Sequence, residues 1–137
     1  MTEYSEKFFD KFKKDYLPSY DFFRLFFAKL AVKGITLVNY SDLKSFLHRM
    51  KGNTAYSKLL EDIRFYFNGV RYVSKDIEVN INTLQTLGAV GRSNPTYEIL
   101  LNYLSSESSK RLLHEFADYN NELDLFVEEF ITSTQRS

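Results

Sequence analysis

Apolar residues recur at helical spacing through the first quarter of the chain. Residues 3–15 place aromatic side chains four positions apart, which predicts an amphipathic helix. After Pro18, residues 19–34 carry so many phenylalanines and leucines that nearly the whole circumference of a second helix is apolar. A helix of this kind usually lies at the centre of a domain, so we expect it to be buried. Gly34 is a natural end for it.

The next segment predicts a shorter helix between two less regular stretches. Residues 35–40 are expected to form an extended link, after which Ser41 caps a helix that runs to about Met50. The apolar face of this helix consists of Leu43, Phe46, Leu47 and Met50. Residues 51–53 end it, and residues 54–62 predict a loop or a short helix.

From residue 63 the spacing changes from helical to alternating and back to helical. Alternating apolar residues over 63–70, closing on Asn68 and Gly69, predict a strand that ends in a turn. Ser74 is a good N-cap for the helix that follows, and Gly88 is expected to end that helix. The inward face of the helix is predicted to carry Ile77, Ile81, Leu84 and Leu87.

The stretch after Gly88 predicts a two-stranded wing. A strand begins at residues 89–90, turn-forming residues occupy 91–95, and residues 96–100 return as the second strand. Strand, helix, tight turn and strand follow each other in the second half of a winged helix. We therefore predict a winged-helix-like fold, mostly α with a small β-wing (α+β).

The tail is helical again, and the whole chain 1–137 is predicted to form a single domain. Apolar residues keep helical spacing over 106–132, and Asn120-Asn121 marks a possible break into two helices. The domain would then comprise a basic helical part over 1–58, a strand–helix–wing part over 63–100 and this C-terminal part.

Composition narrows the classes of protein to consider. The 137 residues include no cysteine, which excludes disulfides, thiolate metal sites and cysteine nucleophiles. No signal peptide is visible, and no stretch has the roughly 20 apolar residues that span a bilayer. We expect a soluble, cytoplasmic protein that does not associate with membranes.

Charge is unevenly distributed along a chain whose formal net charge is zero. Residues 1–58 hold eleven basic and six acidic side chains, and residues 59–137 hold seven and twelve. The two halves either neutralise each other in the fold or leave a basic face for an acidic partner.

Residue patterns typical of catalysis are missing from the sequence. His48 and His114 stand alone, outside any metal-ligand spacing, and the five glycines form no phosphate-binding loop. Neighbouring acids such as Glu128 and Glu129 are typical of a solvated helix face. We predict a protein that is not an enzyme and that uses neither a cofactor nor a metal.

The helix after Ser74 is the element that would read DNA in a winged helix. Its polar positions are expected to be exposed: Lys75, Asp76, Glu78, Asn80, Asn82, Thr83, Gln85 and Thr86. Asn82 and Gln85 have side chains suited to adenine, but residues 74–100 hold two basic against three acidic side chains. Because DNA affinity depends on neutralised phosphates, the basic first half would have to supply them. The candidate nucleic-acid contacts are then Lys44, Arg49, Lys51 and Lys75.

Residues 41–101 resemble the Panacea/SocA-like antitoxin domain. The resemblance rests on "DLKSFLHRM", on "FYFNGVRYVSKDIEVNINTLQTLGAV" with its serine-capped helix, and on "NPTYEIL" as the returning strand. It implies a non-enzymatic protein that binds another protein and blocks or delivers it. Heavy use of Phe, Tyr, Lys, Ile and Asn is in keeping with an AT-rich bacterial or phage genome.

The function expected from the sequence is protein binding, of the antitoxin or phage and mobile-element inhibitor type. The partner would be a toxin or a host or phage factor, and a homodimer is compatible with the sequence. The candidate contact residues lie on the exposed face of the capped helix and at the wing tip: Asn82, Gln85, Arg92, Ser93 and Asn94. A DNA-binding transcriptional regulator is the alternative.

Overall fold

The computed structural model of the chain describes residues 16–134, so the helix predicted over residues 3–15 lies outside the described range. The α-helices within this range are α1 (Ser19–Val32), α2 (Tyr40–Met50), α3 (Ser57–Leu60), α4 (Lys75–Thr86), α5 (Ser106–Glu115) and α6 (Asn120–Thr134). The strands are β1 (Leu37–Asn39), β2 (Tyr66–Phe67), β3 (Tyr72–Val73), β4 (Gly91–Ser93) and β5 (Glu98–Leu100). Short 3-10 helices occupy Thr54–Tyr56 and Ala117–Tyr119. The predicted mostly α fold with a small β-wing is confirmed.

Helix α1 is the centre of the hydrophobic core. Phe22, Phe23 and Phe26 are completely buried, as expected for a helix that is apolar on nearly every side. The ring of Phe26 packs edge-on against two phenylalanines of α6, at centroid distances of 5.7 Å to Phe126 and 5.2 Å to Phe130. Such edge-to-face pairs contribute beyond the area they bury, by about 0.5–1.5 kcal/mol each.

The wing belongs to a three-stranded antiparallel sheet with the strand order β1-β5-β4. Residues 35–40 were expected only as an extended link, but their centre is a strand, and Val38 pairs with Ile99 at the fully buried middle of the sheet. The wing strands are displaced from the prediction, since β4 begins at Gly91 and β5 at Glu98. The elements α1, β1, α2, α4, β4 and β5 follow each other along the chain, and β1 pairs with β5. This order is consistent with a winged helix.

The segment between α2 and α4 is folded as an insertion into that order. It contains α3 and a separate hairpin in which Tyr66 pairs with Val73 and Phe67 with Tyr72. The strand predicted over 63–70 is thus only two residues long and does not join the sheet of the wing. Asp76, in the first turn of α4, holds the segment that precedes this hairpin. Its carboxylate accepts a 2.8 Å hydrogen bond from the Arg64 backbone N–H.

Helix boundaries follow the predicted caps with one exception. Ser74 accepts a hydrogen bond from the Ile77 N–H at the start of α4, and Gly88 has φ of +79° directly after its end. The prediction that Ser41 caps α2 was wrong. The cap is Asn39, whose side chain accepts a 3.0 Å hydrogen bond from the Asp42 N–H. Strand β1 runs directly into α2, so the chain leaves the extended conformation two residues earlier than predicted.

The buried face of helix α4 is narrower than its apolar spacing indicated, and it includes one polar residue. Ile77, Ile81 and Leu84 are buried as predicted, but Leu87 is 66% exposed. Asn80, predicted to be exposed, is buried, and Asp76 and Gln85 are half-buried. The amide nitrogen of Asn80 donates one hydrogen bond to Ser19 in α1 and another to the Asp76 carbonyl oxygen within α4.

The tail forms two helices, as the sequence allowed. Helix α5 ends before Phe116 and α6 begins at Asn120, so the break precedes the asparagine pair. Lys33 is the residue directly after α1, and its Nζ lies 3.1 Å from Asp124 Oδ1 and also bonds Glu128, both in α6. Basic and acidic halves therefore do neutralise each other where these two helices meet.

Candidate protein-binding surface

The residues predicted to form the wing tip are divided between a strand and a turn. Arg92 and Ser93 belong to β4, and Asn94 is in the turn that follows, where its peptide bond to Pro95 is cis. The helix residue Asn82 is exposed, whereas Gln85 is half-buried. Only part of the predicted contact set is therefore freely presented to a partner.

Arg92 belongs to a column of stacked side chains that the sequence did not predict. Its guanidinium carbon lies 3.9 Å from the ring centroid of Tyr97, and Tyr97 stacks on Tyr40 at 4.2 Å with an interplanar angle of 9°. On the other side of Tyr40, the Nζ of Lys44 lies 4.6 Å from the ring centroid. Two cations thus cap two stacked tyrosines, which joins the wing to α2.

Burial dominates the ionisation of this column. It raises the pKa of Tyr40 to about 12, with a further increase from Glu78 and an opposing effect from Arg92. Burial also raises the pKa of Tyr97. Both phenols therefore stay neutral at physiological pH and supply ring faces, rather than negative charge, to the two cations.

The four candidate nucleic-acid contacts lie in different local environments. Lys51 donates to the backbone carbonyl oxygens of Leu60 and Glu61 and so stabilises the end of α3. Desolvation on burial lowers the pKa of Lys51. Arg49 lies over the ring of Phe46, at 5.3 Å, and lines a depression beside α6. Lys75 is exposed at the start of α4, and Lys44 belongs to the tyrosine column.

The hairpin β2–β3 presents large apolar side chains to solvent, and we call these side chains the hairpin surface. Its members, with their exposed fractions, are Tyr66 (47%), Phe67 (57%), Val70 (85%) and Tyr72 (57%). The turn between the strands is held by its own hydrogen bonds, because Asn68 Oδ1 accepts from the N–H groups of Val70 and Arg71 at 2.9 and 3.0 Å. Gly69 supplies the φ of +99° that this turn requires.

A groove of about 440 Å³ separates the hairpin surface from α2 and the start of α4. Lys44, His48 and Arg71 line this groove. Among its lining residues within 16–134, Glu78 is the one acidic residue. The imidazole of His48 stacks on Tyr72 at a centroid distance of 4.6 Å and so holds the hairpin beside the helix. A groove lined by both apolar and basic side chains is suited to a segment that combines apolar and acidic side chains.

Sequence reasoning missed the hairpin surface because alternation does not show whether a strand has a partner sheet. The spacing of Ile63, Phe65 and Phe67 indicated one inward face, yet burial declines along it, from Ile63 at 1% exposed to Phe67 at 57%. The Asn68-Gly69 turn signal was the useful clue, since a tight turn there places the neighbouring aromatic residues at the tip of a hairpin.

Comparisons of the chain with protein families, with curated proteins and with solved structures found no match in any of the three. Within residues 16–134, no three His, Asp or Glu side chains are grouped so that they could hold a metal ion. No helix in the same part of the chain is long and apolar enough to cross a membrane.

Proposed function

We propose that this chain is a non-enzymatic protein-binding module of the antitoxin or phage-inhibitor type that acts in the cytoplasm. It binds another protein through the hairpin surface and the adjoining groove and blocks that protein by direct contact. The resemblance of residues 41–101 to the Panacea/SocA-like antitoxin domain supports the same class of function, since the hairpin and the groove lie within those residues.

The observation that carries this proposal is the clustering of exposed apolar side chains on one hairpin. Single exposed apolar residues are common on protein surfaces, but contiguous apolar patches mark interaction sites. Covering such side chains stabilises a complex by about 25 cal/mol for each Å² of apolar surface removed from water. Aromatic side chains are also enriched among the residues that dominate binding energy.

Charge in the groove indicates the chemistry of the partner. Lys44 and Arg71 contribute positive charge to a groove that Val70 and Phe67 also line, and Glu78 is the acidic residue of the described lining. A partner segment with apolar side chains for the hairpin and carboxylates for the groove would match both features. The partner expected is therefore an acidic protein surface with an apolar centre.

DNA binding is the second candidate, and one observation favours it. The tyrosine column places Lys44 of α2 and Arg92 of the wing at the two ends of one stack, beside a helix that exposes Asn82. Against it, Asp76 and Glu78 occupy the first turn of α4, where a recognition helix normally enters the groove of DNA. They weaken attraction to phosphates there.

The experiment is capture of partners by the tagged full chain from a lysate of its source cell, with and without nuclease. The wild type is compared with Phe67→Ser and with Leu125→Ser. Leu125 is the matched control because it is a similarly exposed apolar residue, at 62%, on α6. A stoichiometric protein that survives nuclease, is retained by Leu125→Ser and is lost by Phe67→Ser would support the proposal.

Two results would contradict it. Nucleic acid captured without a stable protein partner would favour DNA binding, and binding that falls steeply with salt would then be expected. A protein partner retained equally by both variants would show that the hairpin surface is not the contact.

A further inference from the structure

A pocket at the end of α4 has the properties of a small-molecule site, whereas the groove beside the hairpin is at the start of that helix. It has a volume of about 220 Å³ and lies where α1, α5 and the end of α4 meet. Phe27, Leu84 and Val90, all buried, contribute apolar walls. Ala28 of α1 also lines it, and the small side chain leaves room between the helices.

One buried polar group in this pocket lacks a partner. Ser109 is 3% exposed and lines the pocket, and its Oγ has no hydrogen-bond partner among residues 16–134. Its backbone N–H is already used, since it donates to the Ser105 carbonyl oxygen at 3.0 Å. Buried hydroxyls in folded proteins are normally hydrogen-bonded, so this one is a site where a ligand atom would be stabilised.

The charged group at the pocket is already neutralised. Arg24 lines the pocket, but its Nη1 donates to Asp21 Oδ1 at 2.9 Å and its guanidinium lies above the Tyr20 ring. A ligand carboxylate would have to compete with Asp21 for this cation. A neutral ligand meets no such competition.

We propose that this pocket binds a neutral, single-ring molecule that carries one hydroxyl or carbonyl group, bonded to Ser109 Oγ. The size is appropriate, because an apolar cavity of about 150 Å³ accommodates benzene. This site is separate from the hairpin surface and does not depend on the function proposed for it. Leu84 and Val90 flank the junction of α4 with the wing, so a bound molecule would touch both elements.

The probes are phenol, toluene and benzoate, titrated into the full chain and followed by methyl and amide NMR shifts. Phenol is expected to shift signals of residues lining the pocket and to bind about tenfold more tightly than toluene, which lacks the hydroxyl. Benzoate is expected to bind no more tightly than phenol. Ser109→Ala should reduce phenol affinity to the level of toluene and leave toluene affinity unchanged.

Ser108→Ala is the matched control, because Ser108 is the exposed neighbour at the rim of the same pocket. It should change neither affinity. The proposal is overturned if phenol produces no shifts at millimolar concentration or shifts only residues away from the pocket. It is equally overturned if Ser109→Ala leaves phenol affinity intact, as it would if an ordered water satisfied the hydroxyl.

Discussion

Asn80 Nδ2 donates a 2.9 Å hydrogen bond to Ser19 Oγ, and both side chains are buried although 61 positions separate them in the sequence. The same amide nitrogen donates to the Asp76 carbonyl oxygen at 2.7 Å, one turn earlier in α4. These bonds fix the rotation of α4 against the first turn of α1. They thereby determine which residues of α4, among them Asn82, point outward.

Replacing Asn80 with Ala is expected to lower the free energy of unfolding by about 1–3 kcal/mol. The reason is that the buried Ser19 hydroxyl loses its donor and is left unsatisfied. Urea denaturation measures the effect, and Asn82→Ala is the control because it changes an exposed asparagine in the same helix. The control should alter stability by less than about 0.5 kcal/mol. Equal losses in both variants would mean that the buried hydrogen bond contributes nothing.

The case of Asn80 shows what helical spacing can and cannot predict. Spacing identified the inward face of α4 from Ile77, Ile81 and Leu84, because burying apolar side chains is a local and periodic requirement. It placed Asn80 outside, because burial of an amide depends on a partner that the fold brings from Ser19. A single sequence contains no sign of that pairing.

The candidate surface was predictable to a smaller extent than the fold. The Phe-rich α1, the Ser74 cap and the wing follow from local rules, and all three are present. The approach of Arg92 to Tyr97, and of Tyr97 to Tyr40, depends on the pairing of β1 with β5. That strand pairing joins residues about 60 positions apart, so no local pattern indicates it.

The ion pairs between α1 and α6 should make a small, pH-dependent contribution to stability. The hydrogen bond from Lys33 holds the pKa of Asp124 below its ordinary value. The contribution of the Asp124 carboxylate to the free energy of unfolding is therefore present above the ordinary pKa of about 4. It is lost as pH falls through the lower pKa of the folded state. Asp124→Asn should cost about 0.5 kcal/mol at pH 7 and low salt, because the pair is largely exposed.

Urea denaturation at pH 7 and at pH 2 measures this effect, and the difference between Asp124→Asn and the wild type should disappear at pH 2. Glu107→Gln is the control, since Glu107 forms a 3.7 Å pair with Arg111 within a single helix and both side chains are highly exposed. Glu107→Gln should change the free energy of unfolding by nearly zero at both pH 7 and pH 2. A deficit of Asp124→Asn that persisted at pH 2 would point to a cause other than charge.

Ionisation of Tyr40 should destabilise the fold at alkaline pH. Burial raises its pKa to about 12, so the stability due to the neutral phenol is complete below pH 10 and is lost between pH 10 and 12. Tyr40→Phe cannot ionise and should lose less stability over this interval, by roughly 2 kcal/mol. Denaturant unfolding at pH 9 and at pH 12 measures the difference, with Tyr66→Phe at the exposed hairpin as control. Parallel losses in Tyr40→Phe and the wild type would contradict the assignment.

The turn of the hairpin should control partner binding more than it controls folding. Asn68→Ala removes the oxygen that accepts from the N–H groups of Val70 and Arg71, so the hairpin tip loses its fixed conformation. Because this tip is exposed, the free energy of unfolding should change by about 1 kcal/mol or less. Affinity for the captured partner should fall about tenfold, since binding would then have to order the tip.

Asn94→Ala provides the discriminating comparison for that measurement, because Asn94 is exposed in the turn of the wing, the contact first expected from the sequence. If the hairpin surface is the binding site, only Asn68→Ala weakens the complex in a titration of purified proteins. If Asn94→Ala weakens it and Asn68→Ala does not, the wing is the contact. The acidic segment expected in the groove would then have to lie along β4 and Arg92 instead.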